Sequence, residues 1–179
     1  MVEPDPQLVA AARAGDLDAF SQLVRRYQGH VWRLSFQLLR NETVADDVTQ
    51  DAFVRAYRFL PRYRGEAKFS TWLFTITRNC ALDEIRRADR RRRLSDQIGA
   101  ERPQPTDHNV RLEVAEALAD LPMELREPIV LIDMFGTSYN EVATMLGVPV
   151  GTVKSRVHRG RELLVDALIP HREEQTGAT

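Results

Sequence analysis

Apolar residues in this chain recur at steps of three and four, the period of helices that bury one face. Leu23, Tyr27, Val31, Leu34 and Leu38 mark the longest such run, which opens at Asp16-Leu17 and ends near Arg40-Asn41. A shorter helix, Gln7 to Ala14, precedes it and stops at Gly15. A third opens at Thr43, with Asp46 three residues on as a variant of the capping box. Its inner face is Val44, Val48, Ala52, Ala56 and Phe59, which leaves Asp46, Asp47, Gln50 and Asp51 pointing outward. Acids early in a helix suit its macrodipole, so an ordinary solvated face accounts for them on these residues alone.

The stretch Pro61 to Arg93 is different. Its first nine residues, Pro61 to Phe69, alternate cations with aromatics, and a helix is predicted from Ser70 to Arg87. Trp72, Leu73, Ile76 and Cys80 fall on one apolar face of that helix, and Phe74, Ala81 and Ile85 on the far side. Between them runs a narrow polar stripe of Thr75, Asn79, Asp83 and Arg86. A helix apolar on two flanks is mostly buried, so the stripe needs water or a partner. Arg62, Arg64 and Lys68 offer charge and Tyr63 and Phe69 offer ring faces, the combination that holds single-stranded nucleic acid at roughly 1–3 kcal/mol per stacked base. The same residues also fit a solvated loop whose aromatics anchor it to the core.

Beyond Arg90-Arg91-Arg92-Arg93 the pattern changes. Leu94 to Asn109 has little periodicity and contains Gly99, Pro103 and Pro105, the composition of a flexible linker. Helices resume near Val110 to Ala119, and another runs from after Leu121-Pro122 to about Phe135-Gly136. Pro128 inside the latter implies either a late start, with the proline in the first turn, or a kink. Ser138-Tyr139-Asn140-Glu141 is a full capping box for a short helix through Leu146. After the turn Gly147-Val148-Pro149 comes a helix from Val150 to about Leu168, with a buried seam of Val153, Val157, Gly160 and Leu164. Thr152, Ser155, Arg156 and Arg159 face outward, with Lys154 and His158 at the edge. Two short helices joined at a glycine turn, the second opening with small polar and basic residues, are helix-turn-helix syntax. Pro149 supplies no side-chain cap, leaving backbone N–H groups for a phosphate. The expected fold is therefore all-α, with two small helical domains (1–93 and 110–169), a linker (94–109) and a frayed tail (170–179).

Composition changes this picture in one respect. The net charge of −1 over 179 residues gives no hint of a polyanion partner, yet Pro61 to Arg93 alone holds ten bases against four acids. Local patches, not totals, steer polyanions. The single cysteine, Cys80, excludes an intrachain disulfide and a cysteine metal cage, and its place on an apolar face suits a small buried hydrophobe. His30, His108, His158 and His171 lack ligand spacing, and no cofactor motif is present. The N-terminus lacks a signal-peptide layout and no apolar run approaches the ~18 residues of a membrane span, so a cytoplasmic protein with no membrane insertion is expected.

Taken in order, these segments resemble the extracytoplasmic-function group of sigma-70-type bacterial RNA polymerase initiation factors. Ala45-Asp46-Asp47-Val48-Thr49-Gln50-Asp51-Ala52-Phe53-Val54-Arg55-Ala56-Tyr57 is similar to that family's polymerase-binding helix. Phe69-Ser70-Thr71-Trp72-Leu73, with Arg78-Asn79 and Leu82-Asp83, resembles its −10 melting segment. Gly136-Thr137-Ser138-Tyr139-Asn140-Glu141-Val142-Ala143 and Gly151-Thr152-Val153-Lys154-Ser155-Arg156-Val157 resemble its −35 reader. The last is the least specific, since response-regulator output domains carry similar segments. The resemblance implies that Asp46, Asp47, Gln50 and Asp51 dock on the clamp helices of the polymerase's largest subunit, with the flap of the second largest as a further contact. It implies that Arg64, Lys68, Phe69 and Asn79 hold a flipped −10 base, with Arg62, Trp72, Thr75, Asp83, Arg86 and Arg87 along the adjoining strand and duplex. Thr152, Lys154, Ser155, Arg156, His158 and Arg159 would engage the −35 duplex, and an anti-sigma protein is expected as inhibitor. Two other readings compete: a helix-turn-helix regulator whose N-terminal helices sense a ligand or dimerise, and an enzyme acting on nucleic acid. The first leaves the cationic-aromatic loop unexplained, and the second finds no nucleophile–base motif or phosphate-cradling loop.

Overall fold

The computed structural model describes residues 3–95 and 110–169, and among them every regular element is helical. The helices are α1 (Pro6–Arg13), α2 (Leu17–Leu39), α3 (Glu42–Phe59), α4 (Phe69–Ser95), α5 (Val110–Asp120), α6 (Met123–Ile129), α7 (Tyr139–Leu146) and α8 (Val150–Leu168). A single tight turn, Leu60–Arg62, follows α3. They fall into two compact units, α1–α4 and α5–α8.

In the first unit α2 is the centre, packing on α1, α3 and α4, while α3 also packs on α4. The seam Leu23, Tyr27, Val31, Leu34 and Leu38 is buried as its spacing predicts. Each of the aliphatic side chains among them contributes about 1.5–3 kcal/mol by leaving water. The α3 face turned to it is small, with Ala45, Val48, Ala52 and Ala56 buried, which brings the helix backbones close. Two expectations are corrected here. Asn41, not Thr43, caps α3: its side chain accepts from the Val44 N–H at 3.0 Å. Phe59 is 45% exposed, and Leu60 fills the core position instead, because the helix tightens after Phe59 and rotates the next side chain inward.

The α4 helix is longer than predicted. It begins at Phe69 and continues past Arg87 through the arginine run to Ser95, so residues 94 and 95 are helical, while the rest of the expected linker lies outside the described residues. The expected tail, 170–179, lies outside them as well.

In the second unit α8 packs against α5, α6 and α7. Pro128 is interior to α6, so the late-start alternative fails: the helix opens at Met123. A proline has no N–H to give to the preceding turn. The chain absorbs the defect by widening into a π-type turn over Val130–Met134. The predicted capping box is present, with Ser138 and Glu141 bonded reciprocally, and Gly147 adopts φ +67° at the turn between α7 and α8. Val153, Val157 and Gly160 line the buried face of α8, while Leu164 is only half-buried. A Cβ at Gly160 would overlap Ile129 Cδ1 and touch Leu125 Cβ at 3.4 Å, so glycine is what admits α6 here.

This contact gives a graded prediction. Gly160→Ala gains about 1 kcal/mol of helix propensity against a clash relieved by turning one methyl, and its stability should lie within about 1 kcal/mol of the parent. Gly160→Leu should cost about 3 kcal/mol, because no single rotation clears it. Urea unfolding of the two variants measures the difference.

Candidate nucleic-acid and partner-binding surfaces

The loop before α4 is held by its aromatics. The Tyr63 hydroxyl donates to the Ala67 carbonyl at 2.6 Å, closing the loop on itself. Phe69 lies between three rings, with centroids 5.4 Å from Tyr27, 5.9 Å from Tyr63 and 5.6 Å from Trp72. At 4% exposure it presents no face to solvent, which corrects its expected part as a stacking platform. Tyr63 is half-buried and meets Phe69 edge-on, so the anchoring alternative describes both aromatics. Trp72, half-buried and 5.1 Å from Tyr63, is the aromatic with surface to offer. Arg62, Arg64 and Lys68 are exposed around it. Arg64 lies 3.8 Å from Glu66, but both side chains are about four-fifths solvated, and such pairs are worth little.

Along α4 the polar stripe divides into parts with different fates. Thr75 turns its hydroxyl back to the Thr71 carbonyl at 2.8 Å. Asn79 is exposed. Asp83 is paired within the fold: it accepts from Arg55 of α3 at 2.9 Å and lies 3.5 Å from Arg86. Through Arg55 this carboxylate ties α3 to α4. Arg86 and Arg87 are exposed, Arg87 lies 3.6 Å from Glu84, and Arg91 pairs with the same glutamate. Exposed arginines continue down the helix to Arg93.

On α3, Asp46, Asp47 and Gln50 are exposed and Asp51 is half-buried. Asp46 accepts from the Trp32 indole N–H at 2.7 Å, and Trp32 stacks flat on Phe36 at 5.3 Å. Asp51 pairs with Arg55 at 2.8 Å. Arg55 thus serves Asp51 and Asp83 together, and its guanidinium is held above its ordinary pKa, chiefly by the Asp83 bond. Sequence reasoning missed this residue as a link between helices. The only local signal was its four-residue offset from Asp51, which predicts the in-helix pair and not the cross-helix one. The same cleft holds Cys80, whose thiol burial pushes up to about 12.

In the second unit the exposed edge of α8 carries Lys154, Ser155, His158 and Arg159. Thr152 is half-buried and accepts on its carbonyl from the Ser155 hydroxyl at 3.0 Å. Arg156 leans onto α6, 3.8 Å from Glu124, and is less available than its helix position suggests. His158 lies 3.3 Å from Glu162. No side chain caps the helix at Pro149. Arg161 clasps Asp133 through Nε at 3.1 Å and through Nη2, which ties α8 to the π-type turn. Among the described residues no three His, Cys, Asp or Glu side chains converge on a point, and no helix is long and apolar enough to cross a membrane.

Cys80 yields a test of the first unit. Its folded pKa lies above the unfolded value of 9.0, so its contribution to stability is full below pH 9 and is lost as pH rises towards 12. The denaturation midpoint should fall across that window, and falling less in Cys80→Ala would tie the loss to the thiol. In the native state at pH 8 the thiol should react with an aromatic disulfide at least ~100-fold more slowly than in the unfolded chain.

Comparison with known proteins identifies a family region in each unit. Residues 23–91 match sigma-70 region 2, and residues 111–164 match sigma-70 region 4. The ECF RNA polymerase sigma factor SigE of Mycolicibacterium smegmatis is 38% identical over 188 residues, spanning 97% of this chain and 73% of that protein. The RNA polymerase sigma-H factor of Pseudomonas aeruginosa is 35% identical, spanning 94% of this chain and 95% of that one. Among solved structures, the sigma factor RpoE of Bartonella quintana, crystallised with the anti-sigma factor NepR, superposes with a TM-score of 0.75 at 28% identity, over 87% of this chain and all of that one. A chain that carries both sigma-70 regions in order, at this identity and along nearly its whole length, belongs to the ECF sigma factors of the sigma-70 family.

Proposed function

We propose a division of labour within this sigma factor in which α3 recruits polymerase, α4 and its loop capture the −10 strand, and α8 reads the −35 duplex. The observation that carries the proposal is the outer edge of α4. Its two apolar flanks are spent on the core, yet it keeps Asn79, Arg86 and Arg87 exposed, and further arginines to Arg93 extend the charge along the helix away from the cationic loop at its start. So many exposed guanidinium groups on one helix attract a polyanion.

On α3, Asp47 and Gln50 are the most accessible recruiting residues, flanked by Asp46 and Asp51, and the clamp helices of the largest subunit are their partner. Arg62, Arg64 and Lys68 follow the phosphates, while Trp72 and Asn79 meet the unpaired base. Phe69 serves from beneath, by holding Trp72 and Tyr63. Thr152, Lys154, Ser155, His158 and Arg159 contact the −35 duplex, with Arg156 reaching it after leaving Glu124. Extracting a base costs a few kcal/mol, met by binding energy shared with polymerase and not by a covalent step of this chain. The flap of the second largest subunit and an anti-sigma protein are further partners, the latter supported by the Bartonella relative's complex. The protein acts in the cytoplasm, where polymerase and promoter are.

Core polymerase plus this protein should yield promoter-specific transcripts, and a regulator of the helix-turn-helix type would yield none without another initiation factor. Asn79→Ala should reduce permanganate reactivity of the −10 thymines roughly tenfold at unchanged core affinity, the scale of one lost base contact. Asp47→Lys should do the reverse, weakening capture of core in a pull-down by tenfold or so while leaving the fold intact. Full core binding by Asp47→Lys would remove α3 from the recruiting surface.

A further inference from the structure

The first turn of α4 takes an acceptor from far along the chain. Lys68 holds the cap position, and its carbonyl accepts from the Trp72 N–H at 3.0 Å. Lysine, however, has no side-chain acceptor for the orphan amides of the first turn. The acceptor comes from the other end of the unit. Glu3 Oε2 accepts from the Ser70 N–H at 3.3 Å, and Glu3 Oε1 accepts from the Ser70 hydroxyl, across 67 residues of sequence. Ser70 is the second residue of α4, the position whose amide a helix cap ordinarily satisfies.

Glu3 is itself held in place. Its carbonyl accepts from Arg26 Nη2 of α2 at 3.1 Å, the next residue, Pro4, is buried, and Asp5 caps α1 through the Gln7 N–H at 2.8 Å. The contact is also sheltered, since Phe69, Ser70 and Thr71 are 4%, 5% and 7% exposed. Water does not readily replace an acceptor lost from such a turn. A carboxylate placed there gains further from the positive end of the helix dipole. Beside the contact lies a cavity of about 550 Å³ whose lining includes Glu3 and Arg13 from the N-terminal part of the chain and Tyr63, Glu66 and Lys68 from the loop. The N-terminal segment therefore faces the very loop that carries the cations.

We infer that Glu3 is a positioning residue for promoter opening, a helix cap supplied from the N-terminal segment that sets the first turn of α4 and the cationic loop before it. This rests on the strand-capturing role proposed above. The carboxylate touches no DNA in this scheme. It fixes where Phe69 enters the aromatic cluster, and so where Trp72, Lys68 and Arg64 stand when the strand arrives. An opposite role is also conceivable on charge alone, with the acid occupying a phosphate's place and opposing the strand, and the sign of one mutation separates the two.

The test compares full-length parent, Glu3→Ala and Glu3→Gln, free and bound to core polymerase. Amide hydrogen exchange at Ser70 reads the contact without DNA, and permanganate reactivity of the −10 thymines reads opening. Glu3→Ala should speed exchange at Ser70 roughly tenfold and lower opening by a similar factor, the scale of a lost cap, with core affinity unchanged as the check on folding. Glu3→Gln keeps an uncharged acceptor and should recover most of both effects. Unchanged exchange in Glu3→Ala overturns the contact. Faster exchange with unchanged or increased opening overturns the positioning role, as does a glutamine variant no better than alanine. If the parent itself opens no promoter with core, the strand-capture reading has failed, while the exchange comparison still decides whether Glu3 caps α4.

Discussion

Five side chains down one side of α2, Leu23, Tyr27, Val31, Leu34 and Leu38, are each at most 2% exposed, and the first unit depends on keeping them so. Three helices must cover that seam, and the way they do so decides what is left outside. The α3 helix brings a face of alanines and one valine, so it lies close and turns its acids to solvent. The α4 helix brings Leu73, Cys80 and Ala81, and its polar stripe is left at an edge beside α3. Neither functional surface is built by its own residues. Each is the remainder of a helix whose other faces were claimed by the core.

This is why most of the architecture could be read from spacing alone. Helix periodicity reports the buried side, and in a four-helix unit the exposed side follows by subtraction. Asp46, Asp47 and Gln50 of α3, the seam of α8 as far as Gly160 and the Ser138–Glu141 box are local patterns, and the fold keeps them as the pattern implies. What spacing could not show depends on partners distant in the chain. Phe69 reads as an exposed ring beside cations until Tyr27 and Trp72 close on it. Asp83 reads as one member of a stripe until Arg55 reaches across from α3. Phe59 continues the α3 period in sequence, but the tightened turn after it breaks the phase and gives its place to Leu60. Asn41 was a better cap than Thr43 by residue type, yet the two lie close enough that only backbone geometry separates them.

The second unit shows how a local defect is placed where it does least harm. Pro128 deprives α6 of a hydrogen bond, and the following turn widens to accommodate it. That widened turn is secured by Arg161 of α8 through Asp133, while Gly160, one residue earlier, lets α6 approach. The helix that carries the exposed basic residues of this unit is thus braced by adjacent positions, Gly160 and Arg161. Its outward residues can be small or basic without cost to the fold.

Arg55 has a wider consequence. One guanidinium is shared by Asp51, on the helix assigned to recruitment, and Asp83, on the helix assigned to opening. Any partner that draws Asp51 away leaves Arg55 to Asp83 alone, and any cation that engages Asp83 returns it to Asp51. The placements of α3 and α4 are then coupled through one side chain, and the departure from additivity between substitutions at Asp51 and Asp83 measures the strength of that coupling.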